Sequence, residues 1–138
     1  MVYVAAATAV DDEMAARIAR HRERRPPDWL TVESSAALAT HVPAGARTVL
    51  VEDLTLLLSN HMQREIASAE ANTVREVEEL LTLDVNVVLV SNEVGMGLVP
   101  PYPLGRQFRD ALGRVNQAAA AGCSEVYFVL AGLSLRMK

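Results

Sequence analysis

His21 stands in the densest run of positive charge in the chain. Five of the 13 basic residues (Arg17, Arg20, Arg22, Arg24 and Arg25) fall within nine positions around it, although the 138-residue chain carries a net charge of −4. Guanidiniums gathered in one place pair well with phosphate and carboxylate groups. On an otherwise acidic protein such a patch suits one anionic ligand at one place rather than a long polyanion. The same run also fits a solvated helix face. Glu52-Asp53 and Asn92-Glu93 are the other polar clusters whose residue types suit phosphate chemistry.

The elements around these residues explain why they would meet. Val2 to Ala7 is a short apolar run with the pattern of a buried strand. Thr8 to Val10 leads into Asp11-Asp12-Glu13, which suit the positive N-terminal end of a helix. That helix carries Met14, Arg17, Ile18 and His21 and stops at Pro26-Pro27. A short strand around Leu30 to Val32 and a small helix from Ser34 to His41 follow. Thr48 to Val51 is a second buried strand, closed by Glu52 and Asp53. A long helical stretch from Leu54 to Leu83 breaks near Ala71-Asn72, and Glu76 to Glu79 give it a solvated acidic face.

Val85 to Val90 is a third buried strand, ending at Ser91-Asn92-Glu93, and Val94 to Pro103 is a loop rich in Gly and Pro. Leu104 to Ala121 reads as a helix with Gly122 as its stop. Glu125 to Leu130 is a fourth buried strand, and Leu133 to Met137 a fifth with alternating exposure. Valine- and leucine-rich strands alternating with helices imply a parallel sheet covered on both faces, with ligands beyond the carboxyl ends of the strands. The His21 patch, Glu52-Asp53 and Asn92-Glu93 all follow strands, so they converge on a phosphate-handling site.

Composition narrows the classes. About half the chain (51%) is apolar and 22% is charged, an ordinary globular balance that excludes a wholly disordered or disulfide-scaffold protein. One cysteine, Cys123, permits no internal disulfide and no multi-cysteine metal site. No apolar run reaches the length of a membrane span, and the N-terminus lacks the charged start of a signal peptide. The expectation is residues 1–138 as a single α/β domain, soluble and cytoplasmic, with no nucleic-acid partner.

Three segments, Asp11 to Ile18 with His21 and Arg25-Pro26, Ser91-Asn92-Glu93-Val94-Gly95-Met96-Gly97-Leu98-Val99-Pro100, and Arg106-Gln107-Phe108-Arg109-Asp110 with Gly113-Arg114-Val115-Asn116-Gln117, carry a family resemblance. In that order they resemble the bifunctional adenosylcobinamide kinase/adenosylcobinamide-phosphate guanylyltransferase family of cobalamin biosynthesis, over essentially the whole chain from Tyr3 to Lys138. The resemblance implies a P-loop NTPase-like (RecA-like) α/β fold and two reactions. GTP or ATP phosphorylates adenosylcobinamide, and GTP then gives its guanylyl group to an enzyme histidine, which passes it to adenosylcobinamide phosphate. His21 matches that histidine. An imidazole attacks phosphorus only when neutral, and surrounding arginines favour that form while offsetting phosphate charge.

By the same resemblance Arg22, Glu23, Arg24 and Arg25 match a nucleotide-contacting segment, Glu33 a carboxylate that contacts guanosine nucleotide, and Glu52 a Walker-B-like position suited to Mg²⁺ or nucleotide. A strand-end helix cap is the alternative role for Glu52. Ala5-Ala6-Ala7 occupies a nucleotide-lining turn, with Ala6 in place of the family's threonine. Asn92, Glu93, Arg109 and Arg114 are candidate substrate or structural residues, and the relatives' trimers imply a homo-oligomer.

The family opens with a strand, a Gly-Gly-x-x-Ser-Gly-Lys-Ser loop and a helix, about 30 residues forming one supersecondary unit, before the strand that begins here at Val2. No such string occurs in this chain, and Gly95-x-Gly97 lacks the following Lys and Ser/Thr. The expectation is therefore a chain N-terminally truncated relative to the family, with the P-loop encoded upstream of Met1 and weak kinase activity. The alternative is a non-catalytic nucleotide- or corrinoid-binding relative.

Overall fold

The computed structural model describes residues 1–7 and 11–138; the expected lead from Thr8 to Val10 lies outside them. Strands β1 (Val2–Ala5), β2 (Leu30–Glu33), β3 (Thr48–Glu52) and β4 (Asn86–Val90) form one parallel sheet in the order β2-β1-β3-β4. Helices α1 (Asp12–Glu23), α2 (Leu54–Arg64), α3 (Ile66–Leu81) and α4 (Pro103–Gly122) alternate with the strands, in a P-loop NTPase-like α/β arrangement. Short 3-10 turns cover Leu38–His41 and Val94–Met96.

Strand alternation sends successive side chains to opposite faces. Val2, Val4, Val49 and Val51 point to one face, with Val87 and Leu89, and pack against Leu54, Leu57, Val77, Leu80 and Val115 of α2, α3 and α4. The register puts Thr31, Tyr3, Leu50 and Val88 in one row of the opposite face, and Glu33, Ala5, Glu52 and Val90 in the next. This second face is only partly covered: Val88 and Val90 are exposed, and α1 buries none of its residues. The sheet expected to be covered on both faces is thus packed fully on one. The reason is legible in α1, whose only large apolar residues after its Asp11 cap are Met14 and Ile18.

Four further expectations are corrected. The long helix breaks at Glu65, not near Ala71-Asn72. Glu65 is extended (φ −158°, ψ 114°), ends α2 and begins α3, and this lets α3 pack against both α2 and α4. The expected helix over Ser34 to His41 shrinks to the 3-10 turn, entered through Ala37 in the left-handed region at φ 54°. The strand from Val85 is half exposed, because β4 has no strand on its outer side among the described residues.

The strand expected at Glu125 to Leu130 is not buried and does not join the parallel sheet. β5 (Tyr127–Leu130) pairs antiparallel with β6 (Leu133–Arg136), and both are largely exposed. Ala131 and Gly132 both have positive φ (51° and 78°), the conformation of a two-residue hairpin turn that folds β6 straight back on β5. No described helix is long and apolar enough to cross a membrane.

Candidate functional site

The row Glu33, Ala5, Glu52 and Val90 lies at the carboxyl ends of the four parallel strands, where open α/β sheets bind ligands. Each strand adds polar groups there for a local reason. Glu52 is the last residue of β3, and the next, Asp53, caps α2 by accepting from the Leu56 amide at 2.8 Å. The helix cap is therefore Asp53, which leaves Glu52 to face the sheet. α1 brings His21 to the same place: its Nδ1 lies 3.9 Å from Oε2 of Glu52, with the imidazole half exposed.

The same Glu52 oxygen accepts a hydrogen bond from the Tyr3 hydroxyl. Tyr3 is 5% exposed. The Arg25 guanidinium lies 3.6 Å above its ring centroid, and the Trp29 ring is 6.5 Å away. Burial first, then the bond to Glu52, push the Tyr3 phenol up to about 12, partly offset by Arg25. It therefore remains a proton donor at every pH where a neutral imidazole works. Arg25 also donates to Thr31 Oγ1 at 3.3 Å, and its Nε is buried without a partner among the described residues. The helix ends at Glu23, so it is not helical spacing that brings Arg25 to the site. Its contact with Tyr3 does so.

The other expected residues divide into those the structure brings to this place and those it does not. Arg22 pairs loosely with Glu33 at 3.8 Å, both exposed, beside the carboxyl end of β2. Glu23, Arg24 and Arg17 are exposed on or beside α1 and make no side-chain bond among the described residues. Ala5 and Ala6 are buried, so of the alanine turn only Ala7 offers a partly open side chain. The turn is tied down: the Ala6 amide donates to Glu52 O at 3.2 Å, and Asn60 Nδ2 of α2 donates to Ala6 O at 2.8 Å. Asn92 donates to Thr55 Oγ1 at 2.9 Å and to Asp53 Oδ2 at 3.3 Å, holding the end of β4 to the start of α2.

Glu93 accepts from the Gly95 amide at 2.8 Å, and Arg109 donates to Gly95 O at 2.7 Å, so both shape the glycine loop. Arg114 lies elsewhere. It makes two bonds, at 2.8 and 2.7 Å, to Glu70 of α3, and the five-residue step from Arg109 puts the two arginines on different helix faces.

One expectation about charge changes. Glu76 does not belong to a solvated face; it is buried, bonded to His61 Nε2 at 2.9 Å and accepting from the Leu38 amide at 3.1 Å. Neither of two surface clefts, one beside Glu70 and Arg114 and one beside His61 and Arg64, is lined by His21, Tyr3 or Glu52. No cluster of three or more His, Cys, Asp or Glu side chains converges among the described residues, so no all-protein metal cage forms. Mg²⁺ seldom needs one: it takes one or two carboxylates and fills its shell with phosphate oxygens and water. Both Asp53 oxygens are engaged, whereas Glu52 keeps Oε1 without a hydrogen bond among the described residues, which fits a one-carboxylate attachment.

Sequence reasoning missed Tyr3 and Asn60. Tyr3 carries the one polar tip in an otherwise aliphatic strand, the signal that could have singled it out. Asn60 lies in the polar run Ser59-Asn60-His61 of α2, which reads as an ordinary helix surface and offered no such signal.

Residues 1–137 match the family model described as cobinamide kinase / cobinamide phosphate guanyltransferase. The bifunctional adenosylcobalamin biosynthesis protein CobU of Salmonella typhimurium is 37% identical over 155 residues, covering all of this chain and 86% of that protein. The protein of the same name from Escherichia coli gives the same identity and coverage. CobP of Pseudomonas aeruginosa is 42% identical over 144 residues, covering 99% of this chain and 81% of the relative.

Proposed function

Because this chain belongs to the cobinamide kinase / cobinamide phosphate guanyltransferase family, we propose that it moves a guanylyl group from GTP to adenosylcobinamide phosphate through a GMP–histidine intermediate on His21. The observation that carries this reading is the approach of His21 Nδ1 to Glu52 at the carboxyl end of the sheet. A carboxylate facing Nδ1 favours the proton on that nitrogen and leaves the Nε2 lone pair for attack. Nε2 forms a bond to the α-phosphorus as the bond to the β-phosphate oxygen breaks, and pyrophosphate departs. A phosphate oxygen of adenosylcobinamide phosphate then attacks the same phosphorus, the P–N bond breaks, and neutral His21 is regenerated. Glu52 stabilises the positive imidazole present between the two steps.

Arg22 and Arg24, exposed beside His21, offset triphosphate charge, and Arg25 adds charge from its place over Tyr3. Glu33 has acceptor oxygens for the N–H edge of guanine, which adenine lacks, so GTP is preferred to ATP. Where Mg²⁺ accompanies the nucleotide, Glu52 would hold it through Oε1 and the ion would neutralise phosphate charge. The kinase step needs more than these residues offer. The 138 residues contain no Gly-x-x-x-x-Gly-Lys-Ser/Thr run, so they supply neither its amide cradle nor its lysine for the γ-phosphate. We place the activity in the cytoplasm, in a homo-oligomer that the exposed apolar residues of β4 and the hairpin would support.

The test supplies GTP labelled at either the α- or the γ-phosphate with adenosylcobinamide or its phosphate. Guanylyl transfer to the phosphate ester should exceed phosphoryl transfer to the alcohol by several orders of magnitude, the scale of a lost phosphate clamp. Nucleotide binding without either transfer would overturn the enzymatic reading and leave a binding protein.

A further inference from the structure

We propose that Tyr3 is a positioning residue for guanylyl transfer: its hydroxyl holds Glu52 at Nδ1 of His21 and so selects the imidazole tautomer that can attack. The proposal rests on the reading of His21 as nucleophile. One carboxylate oxygen, Oε2 of Glu52, is shared between the two groups: it accepts from the Tyr3 hydroxyl and lies 3.9 Å from His21 Nδ1. A histidine side chain left to itself favours the proton on Nε2, which would block attack from that atom. Reversing that preference requires an acceptor that stays opposite Nδ1.

Glu52 is about one-third exposed, and an unrestrained carboxylate at that exposure would swing toward water. Tyr3 prevents this because it cannot move itself. It is buried in β1 between β2 and β3, with the Arg25 guanidinium against its ring and Trp29 beside it. A buried phenol left without an acceptor costs free energy, so rotating Glu52 away is penalised at both ends of the bond. Arg25 thereby gains a second role. Its cation is spent on the ring that orients the carboxylate, which explains why it stacks on Tyr3 instead of pairing with Glu52. The chain of contacts is local: Arg25 and Trp29 pack on Tyr3, Tyr3 holds Glu52, and Glu52 faces His21 Nδ1 across 3.9 Å.

Tyr3→Phe removes the hydroxyl and keeps the ring on which Arg25 and Trp29 pack. The first readout needs no ligand: ¹⁵N NMR of the His21 ring, assigned by its loss in His21→Ala, at a pH where the imidazole is neutral. The wild-type ring should carry its proton on Nδ1, and Tyr3→Phe should move the population toward Nε2–H. Glu52→Ala, which leaves Tyr3 untouched, should do the same. The second readout is single-turnover guanylylation. Tyr3→Phe should slow it about tenfold, the scale of one hydrogen bond, with GTP affinity unchanged. Tyr3→Phe combined with Glu52→Ala should be no slower than Glu52→Ala alone, because Tyr3 acts only through Glu52. An unchanged tautomer in either variant, additive losses, or a loss confined to GTP affinity would overturn the proposal. A tautomer shift in a protein that takes no label supports the positioning contact and sinks the nucleophile reading alone.

Discussion

Tyr3, His21 and Glu52 come from β1, α1 and β3, and their separation explains which of them could be read in advance. His21 and Glu52 announce themselves by type, one in a cationic run and the other at a strand end. Tyr3 does not, because its acceptor is 49 residues away and its neighbours in the strand are aliphatic. The raised phenol gives Tyr3 a measurable signature. The folded protein keeps that proton up to about pH 12, whereas the unfolded chain loses it near the ordinary value of 10. Its contribution to stability is therefore fully present below about pH 10 and lost as pH rises toward 12. Urea unfolding followed from pH 8 to 11.5 should show wild type losing more stability than Tyr3→Phe at the alkaline end. The raised phenol of Tyr127 is common to both proteins and cancels. Parallel curves would remove the buried hydrogen bond from the account.

Strands β1 and β3 and the capped helix α1 follow the sequence closely, since Val-rich runs, the Asp11 cap and Pro26-Pro27 are local signals. The elements that departed from expectation were decided by packing. Nothing local ends α2 at Arg64: no Gly or Pro stands there, and the turn at Glu65 lets α3 pack against α2 and α4. The same packing buries Glu76, which the run Glu76 to Glu79 disguises as surface. From α3 it reaches His61 of α2 and the Leu38 amide of the 3-10 turn, joining three elements. Removing one partner of such a buried pair leaves the others uncompensated. Glu76→Ala leaves the His61 ring nitrogen and the Leu38 amide without their buried acceptor and should cost about 1–3 kcal/mol for each, whereas Glu78→Ala, on the exposed side of α3, should stay within about 0.5 kcal/mol. Denaturant midpoints compare the two directly. Equal effects would mean that Glu76 is as solvated as its neighbours.

At the scale of the whole molecule, one face of the parallel sheet is packed by α2, α3 and α4, the other carries Tyr3 and Glu52 and is bare at β4, and the separate hairpin exposes further apolar side chains. Val88 and Val90 on β4 are 47% and 39% exposed, and Val129, Leu130, Leu133 and Leu135 of the hairpin are all above 60%. The continuous Val- and Leu-rich runs were legible as strands, but not what would cover them, because coverage depends on partners outside the strand. Surface of this kind marks association. Light scattering behind size exclusion should give a mass that is a multiple of 15.0 kDa at micromolar concentration, and Val88→Lys should weaken assembly. A monomer throughout would refute this. Guanylyl transfer through His21 is tested by trapping the intermediate. The protein is incubated with α-labelled GTP and Mg²⁺, denatured, and split between acid and base. Protein-bound label should survive base and be lost in acid, as a phosphoramidate is, and should be absent in His21→Ala but present in His41→Ala. Label persisting in His21→Ala would contradict it.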